Sequence, residues 1–345
     1  GGAGSAEASP FVSVLVLNWN GARLLSSCLS ALFATDYPTG GWEAVVVDNA
    51  STDGSAEQAQ RDFPRLRVVR NPGNWGFAKG YNGALAAAPG PYVVLLNTDT
   101  RVRPGWLRAL VGAAEADARV GAASAKLIYP PDSPNAGRIQ NAGGMVLANG
   151  AGRDRGTVFR DGRWIQEEDV GQYDRREEVF FFCGAAALLR RAALEDVGLF
   201  DERYFMYYED MDLSWRLRLR GWKVVFVPDA VVEHAHAASS GEWSPFFTYQ
   251  VDRNRPLMLL KLAPLPLALR EVGRYVAEAA LNCARVLYWA ITRRQRGPHA
   301  ARAKLQVRVI ASWLRDVPGV LAERRRIAAR RAVPESDVLR WMAEA

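Results

Sequence analysis

Carboxylates, amides and one histidine pair are placed where a sequence of this kind could do chemistry. Asn97-Thr98-Asp99 closes the apolar run Pro91–Leu96, and a lone acid beside an amide there can hold a hard cation. Asp48 closes another apolar run and is positioned to accept hydrogen bonds from a uracil or thymine ring or a ribose. Asn18 and Asn20 close a third. Glu209, Asp210 and Asp212 follow the aromatic stretch Tyr204–Tyr208; one acid would be enough to cap a helix, so three suggest a further task. His234 and His236 are two of three histidines, and one of them near Asp99 would make a second cation ligand. Plainer readings stand beside these: an Asx turn at Asp99, and a helix cap at Asp53 ahead of Gly54-Ser55.

The elements that must carry these residues follow from the hydrophobic pattern. Strands are expected at Phe11–Leu17, Trp42–Val47, Leu66–Val69 and from Pro91, with helices between them; Leu24, Leu25, Cys28, Leu29 and Leu32 lie on one helical face. Strand and helix alternate, as in a doubly wound α/β sheet with right-handed crossovers. Ligands of such sheets sit at the carboxyl ends of the strands, where the polar residues fall. Further on come a helix at Pro104–Ala116 and strands at Val120–Ile128 and Lys223–Val227. Residues 130–178 have weak periodicity and read as a functional or mobile segment.

Composition limits the alternatives. The turn after the first strand has a single glycine, Gly21, and no Walker A loop occurs. Dinucleotide-dependent dehydrogenases and nucleotidyltransferases with a Gly-rich phosphate loop are therefore disfavoured. Three widely spaced cysteines, Cys28, Cys183 and Cys283, form no metal or disulfide pattern and suit a reducing compartment. The formal charge of +7 is uneven: from Asp252 onward there are 19 Lys and Arg against eight Asp and Glu. Such a tail suits an anionic surface. Nucleic acid is disfavoured, because Trp313 is the one aromatic residue among the arginine-rich part. Pro256–Leu269 is too short and interrupted to span a bilayer. Glu271–Ile291 reads either as a peripheral helix or as one packed on the rest of the protein, and the arginine-rich stretch Arg293–Arg331 reads as membrane-facing.

Five ordered motifs resemble the inverting family 2 glycosyltransferases, in their rhamnosyltransferase-like branch. They are Asn18-Trp19-Asn20-Gly21, Val47–Ser55, Asn74–Gly80, Leu96–Asp99 and Tyr208–Arg216, and the likeness runs from about Val12 to Lys261. The resemblance implies a GT-A type doubly wound mixed sheet flanked by helices, with a C-terminal helical extension. It fits a catalytic domain at 11–255 (nucleotide-sugar half 11–100, acceptor half 101–255), while composition alone suggests a disordered tail at 1–10 and a basic amphipathic helical region at 256–345. It assigns the donor to Asn18, Asn20, Asp48, Asn74, Lys79, Gly80, Asn97, Thr98, Asp99 and Arg253. A divalent metal, Mg2+ or Mn2+, falls to Asp99 and His234, with His236 as the alternative; Asn97 stands where relatives carry an acid. Asp210 becomes the catalytic base with Glu209 beside it, and Gly184, Glu209 and Asp210 meet the acceptor. The expected reaction moves a sugar, L-rhamnose from dTDP-rhamnose or another sugar from a UDP or GDP donor, to a saccharide or polyprenyl-diphosphate-linked acceptor in cell-surface polysaccharide synthesis. The expected place is the inner face of the cytoplasmic membrane, with self-association left open.

Overall fold

The computed structural model describes residues 9–235, 244–292 and 299–343. His236 and residues 1–8 of the tail expected at 1–10 lie outside the described residues. The first half of the chain alternates strands β1 (Val12–Asn18), β2 (Trp42–Asp48), β3 (Arg67–Arg70) and β4 (Tyr92–Asn97) with helices α1 (Leu25–Phe33), α2 (Ser55–Asp62) and α3 (Ala78–Ala87). Short β5 (Thr100–Val102), α4 (Trp106–Glu115) and long β6 (Val120–Ile128) follow.

Residues 130–178 are more ordered than their periodicity suggests. They form β7 (Ile139–Asn141), β8 (Gly144–Leu147), β9 (Gly152–Asp154), β10 (Thr157–Arg160), β11 (Arg163–Gln166) and β12 (Glu177–Glu178). Each strand has two to four residues, too few for a period-2 signal to emerge. Then come β13 (Ala186–Arg190), α5 (Arg191–Val197), α6 (Glu209–Leu219) and β14 (Lys223–His234).

The main sheet runs β12-β14-β6-β13-β4-β1-β2-β3. Strands β4, β1, β2 and β3 are parallel, and β13 enters antiparallel between β4 and β6. The sheet is therefore mixed. Alternation along β1 and β4 builds both cores: Val14, Val16, Val94 and Leu96 face α1 and α4, whereas Leu15, Val93 and Leu95 face α3 and α6. The register sets Asn18 opposite Asp48 and Leu17 opposite Asn97, so the polar ends of β1, β2 and β4 share one rim.

A third apolar cluster lies on the outer side of α6. There α6 meets α7 (Pro245–Leu262), α8 (Leu265–Ile291) and α9 (His299–Arg330); α10 (Glu335–Leu339) and β15 (Met342–Ala343) close the described chain. Two expectations change here. The boundary at 255/256 falls inside α7, because Pro256 sits within a continuous helix whose Leu257, Met258 and Leu259 are core residues. Of the arginine-rich stretch Arg293–Arg331, expected to face a membrane, residues 293–298 lie outside the described residues and 299–330 form α9, whose Val309, Trp313 and Val320 are buried in this cluster while Val307 and Leu314 are exposed. Trp313 also donates to the Arg253 carbonyl at 3.0 Å, so the face of α9 that carries Val309, Trp313 and Val320 is committed to the protein.

Candidate active site

At the rim, side chains organise the loops before any ligand does. Buried Asn18 directs its amide nitrogen to Asp48 Oδ1 at 2.9 Å and to the hydroxyls of Ser51 and Ser55. Asp48 Oδ2 accepts from the Ser51 amide at 3.1 Å. Asn20 takes a left-handed backbone, φ 51°, and its Oδ1 accepts from the Thr52 amide at 2.8 Å. Asn18 Oδ1 is buried without a hydrogen-bond partner among the described residues, and a Cβ at Gly21 would lie 2.3 Å from it. Thr98 Cγ2 borders the same space. Asp53 sits one residue before the helix cap, which is Gly54, and accepts from the Ser55 hydroxyl and the Ala22 amide. Burial would raise its carboxyl, but these donors outweigh it and hold the group below its ordinary value.

The next wall comes from Asn49, Asn71 and the turn before α3. Asn49 donates to the Gly76 carbonyl and accepts from Asn71, and a Cβ at Gly80 would come within 2.9 Å of the Asn49 amide nitrogen. Asn74 caps this turn by accepting from the Gly76 amide, and Lys79 Nζ lies 4.3 Å above the Trp75 ring.

Beyond β4, the chain turns at Asn97–Asp99 and returns as β5, which pairs with the end of β14. That pairing brings His234 Nε2 to 3.1 Å from Asp99 Oδ1, both largely buried. His234 Nδ1 is 2.5 Å from Gln140 Oε1. When Nδ1–H donates to Gln140, the Nε2 lone pair is turned toward the carboxylate. A carboxylate oxygen and an imidazole nitrogen then converge, a donor pair suited to a divalent cation, and the carbonyl behind the imidazole is the usual support for such a ligand. No group of three or more His, Cys, Asp or Glu forms such a site among the described residues. A cation here would rely on phosphate oxygens and water for its other ligands, as Mg2+ commonly does.

The acidic cluster divides into three roles. Helix α6 starts after Tyr207 and Tyr208, both left-handed at φ 70° and 72°. Asp210 Oδ2 accepts from the Gly184 amide at 3.2 Å and Oδ1 from the Met211 amide at 2.7 Å. Burial nevertheless raises its carboxyl to about 6. Glu209 is buried, and its Oε2 has no hydrogen-bond partner among the described residues. Burial first, and then the neighbouring Asp210 charge, push the Glu209 carboxyl well above the usual range. Asp212 is structural: it accepts from Arg216 Nε, Lys261 Nζ and the Tyr204 hydroxyl.

Gly184 links this cluster to the rim, since the backbone N–H of Asn97 donates to the carbonyl of Ala185 next to it. Thus Asp48, Asn18, Asn97, Asp99, His234, Gly184 and Asp210 all gather at one side of the sheet. Arg253 does not join them. Its guanidinium is buried against Asp316 on α9, the Asn254 side chain and the Arg203 carbonyl, so the expected phosphate contact is replaced by a helix-to-helix ion pair. Gln140 was not foreseen, because it sits in the segment without periodicity. Asn254 was visible only as the middle of Arg253-Asn254-Arg255.

Residues 13–198 match the family model described as Glycosyl transferase family 2. The chain belongs to that family. This glycosyltransferase is 34% identical over 240 residues to the N-acetylglucosaminyl-diphospho-decaprenol L-rhamnosyltransferase of Mycobacterium tuberculosis, covering 64% of this chain and 74% of that protein. It is 26% identical over 253 residues to the pre-mycofactocin glycosyltransferase of the same organism, covering 68% of this chain and 48% of the other. Among solved structures, GalNAc-T7 with UDP, GalNAc and Mn2+ aligns over 72% of this chain and 48% of its own, with a TM-score of 0.53 and 16% identity. That likeness is one of fold, and the glycosyltransferase has the GT-A arrangement.

Proposed function

We propose that this glycosyltransferase moves L-rhamnose, with inversion, from dTDP-rhamnose to a hydroxyl of a polyprenyl-diphosphate-linked saccharide. The observation that carries the reading is Asp210: a carboxylate anchored by two backbone amides, raised to about 6, at the rim that also bears Asp99 and His234. The mycobacterial relative supplies the sugar and the lipid-linked acceptor by its name.

In this mechanism the acceptor oxygen attacks the anomeric carbon from the face opposite the diphosphate. The new C–O bond forms as the bond from that carbon to the diphosphate oxygen breaks. Asp210 takes the hydroxyl proton, a step typically worth ~10²- to 10⁴-fold. A carboxyl near 6 is ionised at neutral pH yet basic enough to accept it. Gly184 fixes the carboxylate through its amide. Glu209, pushed up by burial and by the Asp210 charge, is the less acidic member of the pair. Asp48 and Asn18 shape the nucleoside side, and Asn97, Thr98 and Asp99 the diphosphate side. Asp99 and His234 would hold Mg2+ or Mn2+, which supplies neutralisation of the leaving diphosphate.

Among the described residues no helix is long and apolar enough to cross a membrane. A lipid-linked acceptor would place the work at the inner surface of the cytoplasmic membrane. The test offers dTDP-, UDP- and GDP-sugars with Mn2+ and a polyprenyl-diphosphate N-acetylglucosamine acceptor. Rhamnose transfer with the product anomer inverted by NMR is expected, with Asp210→Asn inactive. A retained anomer, or transfer from UDP- or GDP-sugars alone, would overturn the assignment.

A further inference from the structure

The outward face of α8 carries an apolar stripe that no described residue covers. Leu269, Val276, Leu281, Leu287, Tyr288 and Ile291 are exposed, Leu287 by 62% and Ile291 by 73%. At 100° per residue they fall on one side of the helix, and the exposed positions between them are Gly273, Ala277, Ala280 and Ala284. The opposite side holds Ala268, Glu271, Ala279 and Asn282, the buried positions that face the rest of the protein. The stripe therefore runs along a 27-residue helix about 40 Å long.

Charge flanks the stripe on one side. Arg270, Arg274 and Arg285 are exposed along that edge, and the one acid at its margin, Glu278, already pairs with Arg302 of α9. Arg270 and Arg274 share the Glu271 carboxylate with Arg255, so three cations meet one anion. Arg285 has no ion pair among the described residues. The other edge carries Val272, Val276, Cys283 and Ala290, without an acid.

We infer that α8 lies in the plane of an anionic lipid leaflet, with this stripe among the acyl chains and the arginine edge on the headgroups. An apolar face with cations beside it is the pattern of an interfacial helix, and each basic residue near an anionic surface strengthens its binding. A second copy is the poorer occupant. In an antiparallel two-fold pairing the arginine edge would meet itself, and in a parallel one it would meet the acid-free edge. A planar anionic surface satisfies the arginines in either direction along the helix. The first part of α8 also touches the β8–β9 turn, where Arg270 donates to the Ala148 carbonyl beside Arg255 of α7, which donates to that of Asn149. The first residue of β9, at the end of this turn, reaches α6, where a Cβ at Gly152 would lie 3.2 Å from Met211 Sδ. A leaflet under α8 would thus lie beside the wall that leads to Asp210. This deepens the reading of a lipid-linked acceptor.

The test uses the full chain with sucrose-loaded vesicles of phosphatidylcholine, with or without phosphatidylglycerol, and neither donor nor acceptor. Co-sedimentation at least tenfold stronger with the anionic vesicles is expected. The double variant Leu281→Asp/Leu287→Asp should lose at least tenfold of that binding with an unchanged Tm. Arg285→Gln should weaken binding to anionic vesicles alone, and Leu314→Asp, exposed on α9, should bind like the parent. Failure of the parent to sediment, or equal sedimentation of the double variant, would overturn the inference. So would a dimer in vesicle-free sedimentation velocity that the double variant splits, which would make the stripe an interface between copies. Because the vesicles carry no acceptor, absence of rhamnose transfer in a separate assay would count against the proposed reaction and leave this binding intact.

Discussion

Asn254 on α7 holds the backbone of Tyr207 in place: its side-chain nitrogen donates to the Tyr207 carbonyl at 2.9 Å and to that of Met206 at 2.8 Å. Tyr207 and Tyr208 form the left-handed turn that aims Glu209 and Asp210, and such backbone costs energy unless its surroundings fix it. Asn254→Ala would leave two carbonyls without their donor, at about 1–3 kcal/mol. The expected outcome is a fall in kcat of at least tenfold with donor Kd within about twofold. Steady-state kinetics beside donor titration would check it; an unchanged kcat would show that the turn stands without Asn254.

Asp210 should impose a pH limb. Its carboxyl is raised to about 6, so kcat/KM should fall as pH drops through about 6, when the base becomes protonated. The stability consequence has the opposite sign. A carboxyl raised on folding favours the folded state below its unfolded pKa, and that contribution is lost as pH rises through about 6. Asp210→Asn should therefore abolish turnover yet raise Tm at pH 7.5, with a smaller gain at pH 4.5. Thermal melts at the two pH values measure this, and a lower Tm at both would contradict it.

Lys261 should matter for stability far more than for chemistry. Its ammonium is fully buried between Asp201 and Asp212, 2.8 Å from an oxygen of each. Lys261→Met would leave Asp201 to Arg203 and Asp212 to Arg216, and remove the ammonium that bridges the two carboxylates, a loss of about 3–5 kcal/mol for a broken buried pair. Burial would raise the Asp201 carboxyl, but Arg203 and Lys261 outweigh it and hold it well below the usual range. Its stabilisation is present above the unfolded pKa and is lost as pH falls toward the folded one. Urea melts should show a gap between parent and variant that is wide at pH 7 and narrower at pH 3.

Asp99 and His234 should be linked to donor binding through a divalent ion. Asp99→Ala is expected to weaken dTDP-sugar binding at least tenfold in Mn2+ and to have little effect in chelator. Calorimetry in both buffers decides the matter: if the parent binds donor equally with and without chelator, the ion has no part in holding it.

Much of this arrangement can be read from residue order. Short continuous apolar runs and polar strand ends locate β1, β2 and β4 and their shared rim, because each signal lies within one strand. What pairs across the chain is harder to read. Gln140 behind His234 sits 94 residues away, in strands too short to show a period. Arg253 and Asn254 illustrate the same limit: a basic motif looks ready for phosphate until α9 supplies Asp316 and the aromatic turn supplies its carbonyls. The division of Glu209, Asp210 and Asp212 into three roles likewise depends on Gly184 and Lys261, which are distant in sequence.

Since α7 runs unbroken from Pro245 to Leu262, trimming this polypeptide at its apparent catalytic boundary would cut a helix in two. The lost piece would take Lys261 away from Asp212 and strip the cover from Trp215, leaving the loading point of the reactive carboxylate unsupported. Anyone shortening the gene for crystals or assays should keep the helical tail.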